Sequence, residues 1–122
     1  MTTQTLTTPT DAETADLCGK AADVIDLNGH CKRDLYDHRQ AAGGTKPADC
    51  RVDIIGALNI AAHGTPVYTG RDLRVWAAEQ AILNRIPEPA IVTWNDARGR
   101  GKREAAKLLR DTAASLKAGV AA

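Results

Sequence analysis

Residues 91–116, IVTWNDARGRGKREAAKLLRDTAASL, decide how the chain is read. A short apolar run ends in Trp94. Asn95 and Asp96 follow, side chains that bond local backbone and favour turns. Arg98, Gly99, Arg100 and Gly101 then alternate. Beyond them Ala105, Leu108, Leu109, Thr112, Ala113 and Leu116 recur at helical spacing and make one apolar face. Arg103, Lys107 and Arg110 fall on the opposite side. The stretch predicts an aromatic anchor, a tight polar turn and a docking helix, entered through a short extended segment over 88–93.

Working outward, the first helix is expected to start at Thr10. Thr10 with Glu13 has the spacing of a capping box, in which the hydroxyl meets a free backbone N–H and the carboxylate reaches back. Leu17, Ala21, Val24, Ile25 and Asn28 line one face, and Gly29 supplies the left-handed stop. A second helix is expected over 48–62, entered through Pro47 and carrying Val52, Ile55, Leu58, Ala61 and Ala62. His63-Gly64-Thr65-Pro66 ends it. A third helix is expected over 71–84, with Leu73, Trp76, Ala77, Ala81, Leu83 and Ile86 inward, until Pro87 and Pro89 stop it. Trp76 and Trp94 are the expected structural anchors. Residues 30–47 carry no clear period and read as a long connection.

The chain has 122 residues, enough for one domain, and a formal charge of +1, so bulk electrostatics pulls toward neither nucleic acid nor membrane. Phe is absent and Tyr and Trp number two each, while Ala abounds. Such a chain favours helices and builds a thin core from small side chains, which a partner subunit would reinforce. The expected architecture is mainly α: a compact four-helix single domain over 11–117, a disordered leader over 1–10 and a tail over 118–122. Three cysteines, Cys18, Cys31 and Cys50, with no CxxC pair and no signal peptide, point to free thiols in the cytoplasm. No apolar run reaches the roughly 20 residues of a membrane span.

Cys50-Arg51 leading to Gly56-Ala57-Leu58 and Ala61-Ala62, the third helix, and Trp94-Asn95-Asp96 with Arg100 together resemble a known family. It is an uncharacterised domain-of-unknown-function family of small proteins, common in actinobacteria, streptomycetes above all, and in their phages. The resemblance spans about 17–116. It implies a small cytosolic protein from an actinobacterium, a phage or a mobile element, with no activity or catalytic residue attached. Members often carry Thr where Gly101 stands here, and Gly caps a helix less well.

The candidate ligand or anion site is the turn and helix face made by Asn95, Asp96, Arg98, Arg100, Lys102, Arg103, Lys107 and Arg110. Free N–H groups at a helix start attract anions, and residues 98–111 hold six basic against two acidic side chains. A phosphate backbone fits such a face. The plainer reading makes Trp94 a core plug and the charges a solvated face. The Gly-Arg turn lacks the Lys-Ser/Thr of a phosphate-binding loop. His30, Cys31, His38, Cys50 and His63 do not have the paired spacing of a zinc site, so no metal and no cofactor are expected. Cys31 beside His30, or Cys50 with His63 and Asp53, would make a thiol enzyme only if the fold assembled them. A helix-turn-helix over the second and third helices has too long a connector.

These residues favour a non-enzymatic accessory or regulatory protein acting through protein–protein contact, with a homodimer through Ala/Gly-rich helix faces as one form. Nucleic acid or a phosphorylated ligand on the 98–110 face is the alternative.

Overall fold

A computed structural model describes residues 7–121, and side chains through Gly119. Among the described residues there are six α-helices and no strand: α1 (Asp11–Asn28), α2 (His38–Ala42), α3 (Ile54–His63), α4 (Leu73–Leu83), α5 (Ile91–Asp96) and α6 (Lys102–Ala121). A 3-10 turn spans Pro47–Asp49. No helix among them is long and apolar enough to cross a membrane.

The capping box of α1 forms. Glu13 N–H donates to Thr10 Oγ1 at 3.1 Å and Thr10 N–H to Glu13 Oε1 at 3.0 Å. Gly29 closes the helix at φ 99°, a conformation open mainly to glycine. α6 is the main partner of α1. Their seam is built from Ala15, Ala21, Ala22, Ala105, Ala106 and Leu109, all buried. Small side chains let the backbones approach, beside larger buried groups such as Ile25, Leu58, Ile82 and Leu109. These alanines of α1 and α6 are buried within the monomer.

Three expectations about the elements need correction. The count of four helices is too low, since α2 and α5 form in stretches read as a connection and as an extended segment. α5 forms because Ile91, Trp94 and Asn95, at i, i+3 and i+4, are all buried while Val92, Thr93 and Asp96 are exposed. Burying that face outweighs the β-propensity of Ile-Val-Thr. The helix expected over 48–62 begins only at Ile54. Residues 50–53 instead run extended, with Val52 in isolated bridges to His30 and Tyr36. Asp53 is the N-cap, accepting from Gly56 N–H at 2.6 Å. The tail expected from 118 is helical as far as Ala121, as alanine favours. Of the leader expected over 1–10, residues 1–6 lie outside the described residues, and Thr10 caps α1 as expected.

The segment from Gly29 to Asp53 is thus an ordered strap. Cys31 N–H donates to Val52 O, Val52 N–H to Gly29 O, Asp37 N–H to Arg51 O and Asp53 N–H to Leu35 O. The strap lies against the start of α3 so closely that a Cβ on Gly56 would stand 2.1 Å from Leu35 O. Only glycine fits there.

Candidate functional site

Asn95 lies at the centre of the turn that the sequence singles out, and it is 1% exposed. Its Oδ1 accepts from His30 Nε2 at 2.8 Å and from Ile54 N–H at 3.1 Å. Its Nδ2 donates to Cys31 O at 3.1 Å and to Asp96 Oδ1 at 2.9 Å. Because Oδ1 can only accept, His30 carries a proton on Nε2. Asp96 Oδ1 also accepts from Arg33 N–H at 3.0 Å, holding Arg33 at φ 73°. Lys32 Nζ donates to Ala97 O. The Asn-Asp pair thus ties α5 to residues 30–33 and to the start of α3. It acts within the fold and presents no open donor.

Trp94 is 7% exposed, and the Arg100 guanidinium lies 4.4 Å from its ring centroid. Arg100 also faces Glu88 at 3.6 Å. Lys107 pairs with Asp111, and Arg110 with Asp23 and Asp26 of α1. Three of the six basic residues are therefore answered by acids. Arg98, Lys102 and Arg103 are exposed and have no ion pair among the described residues.

The histidines and cysteines do not gather. Among the described residues no three His, Cys, Asp or Glu groups are placed to hold a metal. Cys18, Cys31 and Cys50 are free thiols. Burial, with Asp53, Asp37, Asp34 and Asp96 nearby, pushes the Cys31 thiol up to about 12. That opposes formation of a thiolate nucleophile. Cys50 Sγ faces the backbone oxygens of Thr45 and Lys46 rather than His63.

Trp76 is not the core anchor the sequence suggests. α4 buries Val75, Ala78 and Ile82, at i, i+3 and i+7, which turns Trp76 outward to 54% exposure. α4 is apolar on more than one side, so spacing alone leaves its phase open. The choice is made by α1 and α3, which pack on the 75–78–82 stripe.

The outward turn of Trp76 creates what the sequence did not disclose. A groove of about 660 Å³ runs between α3 and α4, a volume in the ordinary range of ligand sites. Leu35, Ile55 and Val75 line it with apolar surface, and Tyr68, Trp76 and Glu79 stand around them. Tyr68 and neighbouring Val67 are 42% and 45% exposed. The connector carrying them is held at its ends. Tyr68 stacks on His63 with centroids 3.6 Å apart. His63 Nε2 stands 2.7 Å from Asp72 Oδ2. Arg74 grips both Asp72 oxygens, and its hydrogen bonds hold that carboxyl below its usual range. Asn59 Nδ2 donates to Pro66 O at 2.9 Å. Glu79 has no hydrogen bond or ion pair among the described residues, and burial raises its carboxyl above the usual range.

A family model described as a family of unknown function (DUF6197) matches residues 9–115. The match covers the Gly-Ala-Leu and Trp-Asn-Asp pieces on which the resemblance rested. No curated protein and no solved structure matches the chain.

Proposed function

Since the chain belongs to the DUF6197 family of unknown function, which lends it no activity, we propose from its own geometry a non-enzymatic accessory protein that binds a partner protein at the α3–α4 groove. The observation that carries this reading is the exposure of Trp76 and Tyr68 around one groove, with Val67 exposed next to Tyr68 in the chain. The core of this protein is poor in aromatics, yet one of its two tryptophans stands at the surface. Tryptophan and tyrosine dominate binding hot spots, and clustered apolar exposure marks interaction surfaces. The free thiols and the resemblance support a cytoplasmic protein of an actinobacterium or its phage. A second copy of the chain is one partner the groove would accept.

The nucleic-acid alternative is left with Arg98, Lys102 and Arg103, because Arg100, Lys107 and Arg110 already face acids. The partner reading is preferred on that ground.

A photoreactive residue placed at Val67 tests it in extract of the cells that make the protein. We expect one discrete protein adduct, lost with Trp76→Ala, and none from the same probe placed at Lys107. Adducts with a second copy would identify a homodimer on the same face. Adducts at position 107 alone, or with nucleic acid alone, would overturn the reading.

A further inference from the structure

The geometry points to the chemistry of the segment that fills this groove: a lysine or arginine side chain of the partner, its stem on Leu35, Ile55 and Val75 and its cationic head against Glu79, beside Trp76 and Tyr68. The inference rests on the groove being the partner site and adds what enters it.

Charge decides among occupants. Two carboxylates line the groove, Asp72 and Glu79. Asp72 is already answered by Arg74. Glu79 is not answered among the described residues. Arg71 also lines the groove, but it is exposed to solvent whereas Glu79 is partly buried. No ion pair joins them. A carboxylate left half-buried among apolar groups costs free energy, and an incoming cation would recover it. A neutral apolar occupant would bury Glu79 further without a partner. An anionic occupant would add repulsion. The aromatic pair favours the same choice, because ring faces attract ammonium and guanidinium groups. A long basic side chain has the required form, an apolar stem with a charged end. The groove is open along its side, so a side chain can enter while its backbone stays outside.

The test uses the full chain and a pentapeptide of alanine and leucine with one central lysine, against the same peptide with norleucine at that position. Binding is read by calorimetry and by the fluorescence of Trp76. The lysine peptide is expected to saturate the site and the norleucine peptide to bind about tenfold more weakly, a difference of about 1.4 kcal/mol. Glu79→Gln is expected to erase that preference while melting like the parent, since Glu79 makes no hydrogen bond or ion pair among the described residues. Equal binding of the two peptides, with Trp76→Ala weakening both, would overturn the cationic occupant and leave the groove as the partner site. Binding of neither peptide at millimolar concentration would overturn the occupant as well, and the crosslink at Val67 then judges the groove separately. Butylammonium binding as tightly as the lysine peptide would assign the site to free amines and overturn the partner side chain.

Discussion

All four hydrogen-bonding capacities of the Asn95 amide are used, two accepting and two donating. Its partners come from residues 30–31, from Ile54 and from Asp96, so one side chain joins three segments. Truncation would leave the buried Ile54 N–H without an acceptor, and such losses are costly. We expect Asn95→Ala to cost about 3 kcal/mol in denaturant unfolding, whereas Lys107→Ala should fall within about 0.5 kcal/mol of the parent. Equal midpoints for the two variants would refute the clamp. Asp53 gives a second residue-scale expectation. Burial raises its carboxyl from 3.8 to about 6, despite the bond from Gly56 N–H. The folded state therefore holds this proton where the unfolded chain has released it. The stabilising contribution is complete below pH ~4 and is lost as pH rises through ~6. The gap between 3.8 and about 6 corresponds to about 3 kcal/mol at neutral pH. Asp53→Asn keeps a competent cap and removes the titration. Its melting temperature should exceed the parent's at pH 7 and the advantage should shrink toward pH 4; a constant difference would contradict this.

At the scale of elements, the ends of the helices carry most of the local information. The Thr10/Glu13 box and the glycines at 29 and 64 are legible because capping depends on residues three or four apart. α6 shows the same logic half-completed: Gly101 N–H donates to Glu104 Oε1 at 3.0 Å, but Gly101 has no side chain to return the bond. A Cβ there would meet only the flexible end of Glu104. Gly101→Ser is therefore expected to raise stability by about 0.5–1 kcal/mol, read as a higher unfolding midpoint. A lower one would show that α6 needs glycine's freedom at its start. Where the elements were misread, the missing information lay outside them. The 91/94/95 spacing of α5 is visible in the sequence, yet Ile-Val-Thr argues for a strand, and only the packing of Trp94 and Asn95 decides. Val52 looks like one more turn of α3. It is held out of the helix by backbone bonds with Gly29 and Cys31, more than twenty positions away.

Across the whole molecule, the basic face and the groove show opposite relations to the sequence. The face is conspicuous as a run of letters, but α1 brings Asp23 and Asp26 against Arg110, and Glu88 meets Arg100. Half of its six cations are thus paired with acids, Lys107 and Arg110 at the exposed surface. The groove is assembled from residue 35, from α3 and from 68–79, and no stretch of the chain contains it. A helical chain, the caps of its first helix, the apolar stripe of α6 and the family resemblance carried by the Trp-Asn-Asp piece can be read from the residues in order. These follow from periodicity and from interactions between near neighbours, which a linear reading contains. Packing in three dimensions turns Trp76 outward, makes Asn95 a buried clamp and sets Glu79, without an ion pair among the described residues, in a groove. Each depends on which of several apolar faces of α4, or which distant backbone, is chosen as partner, and that choice is made by packing the segments against one another.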